Sequence, residues 1–506
     1  MKLERSKNAK RNMAFGLLNN ITSLLLPFVV RTVLIKVLGE QYLGLSSLFS
    51  SILSVLSLAE LGFGSAVVYN MYKPVAENDT ETLCALLNFY RRIYHTVGFV
   101  ILAIGLMFIP LLPKLIKGTY PSDIDLTTLY LIFLGNSVLS YFLFGYRGSV
   151  LSAYQRNDVN SRTAILMSFL LSGSQIAVLF LIRNYYVYVL LMPVFTILNN
   201  LRIAWIVHKM FPQIKPKGKL ERDIIQDIKK RVGGLMVSKL CGTSRNALDS
   251  IFTSAFIGLT MTAMYNNYYY IVSAITGILS IVCSSVIGGV GNSIVTESVE
   301  KNYSDMNRLN FIYMTLSGWC TICLFCLFQP FMKIWMGEKL MFPMLIVVLF
   351  CAYFYVLRMG DIRFVYAEAN GLWWENRYRA VAEAACNLVL NYILGKYFGV
   401  YGIISATLIS LFFINFCYGS TIIFKYYFIE QKVSEYFLQH FLYLFVTAVI
   451  GAATYWTCSL VRLGDWPTLL VRAAISCVVP TMLYVLAYIR YPLGREATKW
   501  VLQRVR

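Results

Sequence analysis

Residues 17–39 read LLNNITSLLLPFVVRTVLIKVLG. A bilayer-spanning helix takes about 20 mainly apolar residues, and this run meets that length. Arg31 nevertheless stands inside it. A charge at bilayer depth costs ~3 kcal/mol or more, and in membrane proteins it usually faces an internal cavity. The same interruption recurs along the chain, where Lys239, Arg245, Arg358 and Arg363 break apolar segments of helix length. The acids in comparable positions are chiefly Glu60, Asp249 and Asp361. Cations therefore outnumber their intramembrane partners, and a membrane protein with a positive interior most simply handles something negative.

Composition agrees. Of 506 residues, 58% are hydrophobic and 14% charged, against roughly 25% charged in soluble domains. Mean hydropathy is +0.62. About fourteen segments meet the length of a spanning helix: 13–35, 43–70, 93–113, 126–151, 161–182, 186–207, 232–258, 262–292, 309–332, 341–367, 377–397, 400–424, 437–461 and 467–489. The expected fold is an all-α polytopic membrane protein with little room for a soluble domain. The basic stretch Lys2, Arg5, Lys7, Lys10 and Arg11 leads into an apolar run too long for a signal-peptide core and without a small-residue cleavage site, so a retained first helix is expected.

The net charge of +20 reports topology rather than nucleic acid. With the N-terminus inside, most Lys and Arg fall on cytoplasmic connections, the positive-inside bias. The longest basic loop, 209–231, lies inside at mid-chain. A basic inner surface favours anionic lipid, and no separate basic domain suggests DNA or RNA binding. Both termini are expected in the cytoplasm. Cys320, Cys323 and Cys326 form CxxCxxC, but inside one apolar helix and without a fourth cysteine in register; small apolar packing residues are the better reading. No metal and no cofactor is expected.

The basic loop separates two halves of six helices each, followed by two more. Expected boundaries are 1–208 and 232–428 for the lobes, 209–231 for the linker and 429–506 for the final pair and basic tail. The halves echo each other. GFGSAVV (62–68) matches GVGNSIV (289–295), AYQRNDVNSR (153–162) matches AEANGLWWENR (367–377), and Asn199 and Lys209 match Asn415 and Lys425. An even number of helices per half makes the repeats parallel. Transporters of that build bind substrate between halves near the midplane.

Candidate site residues follow from helical spacing. Asn20, Leu24, Pro27 and Arg31 share one face of the first helix, which Pro27 is expected to kink. Ser47, Ser50, Ser54, Ser57, Glu60 and Gly64 form a stripe on the second helix. Small residues in such a stripe serve close helix packing, whereas Glu60 suits an ion pair or a coupling role. Lys239, Arg245 and Asp249 cluster on the seventh helix, where Arg245 and Asp249 are four apart. Guanidinium groups suit bidentate phosphate binding. Arg358 and Asp361 are spaced for an i, i+3 pair, Arg363 points to lipid headgroups or substrate, and Glu383 is expected at the interface. In YNNYYYI (265–271) the tyrosines suit an interfacial belt; the alternative is that Asn266, Asn267 and Tyr268 contact sugar hydroxyls. No Walker A, HExxH or nucleophile elbow occurs, and His95, His208 and His440 are far apart. The residues speak for transport, not catalysis.

The segment YLGLSSLFSSILSVLSLAELGFGSAVVYNMYKPVAENDTE (42–81), with AELGFGSA before a KPVAEND loop, resembles bacterial polysaccharide transporters of the O-antigen flippase type. So does GDIRFVYAEANGLWWENRYRAVAEAACNLVLNYILGKYFGVYGIISATLIS (360–410). These transporters belong to the multidrug/oligosaccharidyl-lipid/polysaccharide (MOP) exporter superfamily. The resemblance implies two six-helix lobes and a cationic cavity. The implied substrate is an oligosaccharide on polyprenyl (undecaprenyl) pyrophosphate, met by Arg31, Lys239, Arg245 and Arg358. It further implies a bacterial inner-membrane location, membrane lipids, a coupling ion (Na+ or H+) and a polysaccharide polymerase as partners, and the final helices 437–461 and 467–489 resemble the extra pair that in some relatives helps form a groove for the lipid tail. Rival readings are an ion-coupled multidrug exporter of the same fold and a peptidoglycan lipid II flippase.

Overall fold

A computed structural model describes residues 5–57, 63–372 and 374–505, with side chains described except at 5–7, 9–10, 65–66, 227, 229–242, 244, 498–499 and 501–505. Among the described residues the chain is helical, with no strand. Packing divides it into two compact units, Met1–Ala263 and Met264–Arg506.

Unit 1 contains α1 (Arg5–Val37), α2 (Glu40–Leu56), α3 (Phe63–Glu77), α4 (Thr80–Met107), α5 (Leu126–Phe142), α6 (Gly148–Ala153), α7 (Asn157–Leu181), α8 (Tyr185–Met210), α9 (Arg222–Phe256) and the first residues of α10 (Leu259–Thr296). Side-chain caps set several starts. Asp79 accepts from the backbone N–H groups of Glu81 and Thr82, Asp125 from that of Thr128, and Asn184 from that of Val187. Each satisfies donors that a helix start leaves without an intrahelical partner. α1 runs on through Pro27 and packs along α7. There Arg11 reaches Asp158 at 2.8 Å, and Asn12 exchanges hydrogen bonds with the Gln155 carbonyl and the Asp158 amide. The core gathers on α2 and α5, where Phe49 meets Tyr130 and Phe133 edge-on. α9, which the sequence reading assigns to the second lobe, packs along α2 within unit 1.

Unit 2 continues α10 and adds α11 (Val299–Met336), α12 (Met344–Met359), α13 (Asp361–Ala369), α14 (Arg377–Ile409), a π-helix (Ser410–Tyr418), α15 (Gly419–Tyr426), α16 (Val433–Ser459), α17 (Asp465–Tyr488) and α18 (Pro492–Val505). α11 is the hub, packing against α12, α16, α17 and α18. The stretch 377–426 is one helical run that is not straight. Asn387 Nδ2 donates to Thr407 Oγ1 at 2.9 Å, although twenty residues of straight helix span roughly 30 Å. The chain therefore reverses at Gly399, whose φ of 59° and ψ of −135° lie outside the helix and in backbone space that glycine enters without steric cost. Two antiparallel helices result, matching the expected segments 377–397 and 400–424.

Among the described residues nine helices are long and apolar enough to cross a membrane, or eleven if two pairs bent by 57° and 47° each count as one. The run through the Gly399 reversal is one of the nine. The expected count of fourteen exceeds what these helices meet on length and composition, because α2 has seventeen residues and α9 carries many charges. Large apolar side chains such as Leu25, Phe169, Phe398 and Phe445 are exposed, the surface that a bilayer covers.

Candidate functional site

In unit 1, α2, α5, α8 and α9 line an open pocket of about 290 Å³. Ser50, Ser54 and Ser57 of the α2 end, Asn136 and Ser137 of α5, and Thr243 of α9 supply its polar wall. Leu53, Phe133 and Met192 complete it. Thr196 donates to Asn136 Oδ1 at 2.8 Å, and Ser54 donates to the Ser50 carbonyl. These three serines face open space, so the expectation that the stripe serves close packing fails for them; Ser47, earlier on the stripe, is buried. The spacing of the serines was visible in the sequence. What was not visible was that Asn136 and Ser137 would be brought opposite them.

Two residues beyond Thr243 on α9 lies Arg245, and one turn further Asp249. Both are buried, at 7% and 1% exposure. Thr253 donates to the Asp249 carbonyl at 2.6 Å. Arg31 is half-buried on α1, within electrostatic reach of Tyr188. Asn20, on the same face of α1, is exposed. Lys239 lies on the α9 backbone with its side chain outside the described set, and Glu60 lies outside the described residues altogether.

Unit 2 holds two further charge clusters. Arg358 pairs with Asp361 at 2.8 Å, the spacing expected, and Tyr313 donates to the same carboxylate oxygen. Arg358 Nη1 also reaches the Tyr313 hydroxyl at 3.5 Å. Its charge is thus met inside the unit. The second cluster corrects two expectations. Glu383 is not interfacial, because it is fully buried and bonded to Arg379 at 2.7 Å. Arg363 reaches no headgroup, because it is 1% exposed and donates to the carbonyl and side-chain oxygens of Asn415. Asn415 in turn donates to Glu383 at 2.9 Å.

Local structure explains how this cluster forms. Arg379, Glu383, Asn387 and Asn391 recur every four residues, so α14 lines them up on one buried face. Asn391 donates to Asn387, and Asn387 to Thr407 across the reversal. Asn415 stands in the π-helix, a rare distortion that concentrates at functional positions. The Arg363 guanidinium fits because Gly360 and Gly419 flank it. A Cβ on Gly419 would come within 2.5 Å of Nη1. The four-residue spacing of 379, 383, 387 and 391 was readable beforehand; the approach of Arg363 from another helix was not.

The aromatic candidates are locked in the core of unit 2. Tyr268 is fully buried among Phe328, Phe342 and Phe350. Its hydroxyl donates to Gln329 and accepts from the Phe342 amide. In this structure it is neither part of an interfacial belt nor open to a sugar. Asn267 is buried with its amide on the Met336 sulfur, and Asn266 is half-buried. Cys323 packs its thiol on the Ser476 carbonyl. Among the described residues no group of three His, Cys, Asp or Glu is arranged to hold a metal.

Solved structures of similar fold are transporters. The lipid II flippase MurJ in an inward closed conformation superposes with a TM-score of 0.62 at 15% identity, covering 94% of this chain and 98% of its own. An inward-facing multidrug resistance MATE family transporter of the MOP superfamily gives 0.60 at 13%, covering 82% and 97%. A MOP superfamily transporter from Pyrococcus furiosus, described as having a binding pocket of reversed polarity, gives 0.53 at 13%, covering 82% and 94%. At these identities the likeness establishes the fold alone, that of a multi-pass helical membrane protein. No curated protein matches significantly in sequence. The polysaccharide biosynthesis protein family model matches residues 9–287. That is more than half of the chain, and the protein belongs to the polysaccharide biosynthesis protein family.

Proposed function

We propose that the protein is a flippase. It carries polyprenyl (undecaprenyl) pyrophosphate-linked oligosaccharide repeat units from the cytoplasmic to the outer leaflet of the bacterial inner membrane, for capsule, exopolysaccharide or O-antigen assembly. Alternating access does the moving, with Na+ or H+ as coupling ion and both termini in the cytoplasm. The observation that carries the reading is the hydroxyl- and amide-lined cavity of unit 1, opening beside the helix that bears Arg245. At about 290 Å³ it lies near the small end of ligand pockets, roughly 300–1,000 Å³. Hydroxyls and amides of this kind exchange hydrogen bonds with sugar hydroxyls, and guanidinium groups recognise phosphate.

In this reading Arg31, Arg245 and Lys239 meet the pyrophosphate. Arg358 contributes less, since Asp361 already holds it. Asp249, Asp361 and Glu60 serve as ion pairs or in coupling. A multidrug exporter of the same fold is disfavoured by the cation-rich spans, which suit no cationic drug. The lipid II flippase structure spans more of this chain than the multidrug transporter, 94% against 82%, which supports a lipid-linked substrate and keeps lipid II as the second reading.

The test uses a deletion strain. Polyprenyl-linked glycans should accumulate on the cytoplasmic face, and the wild-type gene should relieve this. Ser54→Leu with Asn136→Leu, which fills the cavity with apolar volume, should leave expression intact and fail to relieve it. Full relief by that variant would remove the cavity from the mechanism. No accumulation in the deletion strain would refute the flippase reading itself.

A further inference from the structure

A second pocket, with charged and apolar lining, lies far along the chain from the first, at the turn between α16 and α17. It measures about 320 Å³ and is lined by Lys333 of α11, Arg462 of the turn, and Asp465, Thr468 and Arg472 of α17. We propose that this pocket binds the phosphate of a membrane lipid, an assignment that does not rest on the transport reading.

Charge supports an anion. Lys333 lies 2.9 Å from Glu338 and 3.1 Å from Asp465, so both nearby carboxylates are engaged with it. Among the described residues no carboxylate lies within ion-pair distance of Arg462 or Arg472. Arg472 donates from Nη2 to the Val461 carbonyl at 3.4 Å, while its buried Nε makes no hydrogen bond. Two guanidinium groups, those of Arg462 and Arg472, thus line one opening, and guanidinium matches phosphate bidentately. The same opening holds the N-terminus of α17, a helix of 24 residues, whose first-turn amides and dipole also favour negative charge.

Depth supports a lipid. Trp456 and Trp466, one on each side of the turn, are 65% and 64% exposed. Exposed tryptophans mark headgroup level in membrane proteins. Leu460, Leu463 and Leu470 beside them are exposed as well, apolar surface that acyl chains cover. Thr468 closes the turn by bonding both backbone groups of Leu463, which holds the Arg462 segment in place. On the orientation expected from the basic loops, this is the outer leaflet.

The experiment is native mass spectrometry of the full-length protein in detergent, titrated with phosphatidylglycerol, undecaprenyl phosphate or diacylglycerol. Wild type should retain both phosphate-bearing lipids and release diacylglycerol. Arg462→Gln with Arg472→Gln should weaken phosphatidylglycerol binding roughly tenfold or more, as expected for charged hydrogen bonds. The Lys versions of both should bind between these limits, and Arg490→Gln with Arg495→Gln, an equal loss of two charges just beyond the far end of α17, should bind as wild type. Tighter binding of undecaprenyl phosphate would identify the carrier lipid as occupant, and equal binding would identify bulk phospholipid. Diacylglycerol bound as tightly as phosphatidylglycerol, or folded Arg→Gln protein binding unchanged, would overturn the proposal.

Discussion

Replacing Glu383 by Gln should be among the most destabilising single changes in unit 2. The carboxylate is fully buried, and its partners Arg379 and Arg363 are 5% and 1% exposed. Gln keeps the volume and the hydrogen bond from Asn415 but removes the negative charge facing two guanidinium groups. Removing one partner of a buried ion pair costs about 3–5 kcal/mol, because the other charge stays desolvated and unmatched. For a folding unit of this size that corresponds to a fall of roughly 6–20 °C in melting temperature. Arg363→Met should cost far less. It removes a cation whose Nε and Nη1 are buried without hydrogen bonds, and it leaves the Arg379–Glu383 pair neutral and intact. The assay is thermal unfolding of the purified full-length protein in one detergent, followed by fluorescence. A shift below about 2 °C for Glu383→Gln, or an equal loss from Arg363→Met, would refute the argument that Glu383 neutralises this cluster.

Two further outcomes follow from the geometry. Gly419→Ala places a methyl group against Arg363 Nη1 and should cost about 1–3 kcal/mol, as overpacking does; the same unfolding assay checks it, and Arg363→Met should restore most of the loss. Arg245→Ala should abolish glycolipid translocation with expression intact, while Arg245→Lys, which keeps charge but loses the planar fork, should retain part of it. Full activity in both would exclude Arg245 from the mechanism.

The Arg358–Asp361 pair was read in advance from its three-residue spacing, although Gly360 separates α12 from α13 between them. The four-residue spacing of Arg379 and Glu383 on α14 carries the same signal but was not read as a pair. The serine stripe of α2 was likewise visible, although its role was misjudged. The placements of Glu383 and Arg363 were missed for a shared reason. Their burial depends on which helices pack beside them, and Asn415, the residue joining them, comes from a π-helix beyond a chain reversal. The reversal itself is a single residue, Gly399, in an otherwise unbroken helical run.

By itself, the sequence determined that the chain is a helical membrane protein, that cations interrupt its apolar segments, and which family its motifs resemble. Length, hydropathy and short spacings are local properties and need no partner to be read. Only the tertiary structure decided which of those charges are neutralised inside a unit, as Arg358 is by Asp361. In a soluble helix an apolar stripe reveals the buried face. In a bilayer the lipid-facing side is as apolar as the core, so an apolar helix does not declare which way it turns. That rotation is settled by packing, and it is packing that set Ser54 facing Asn136 across a cavity and closed Arg363 between two glycines.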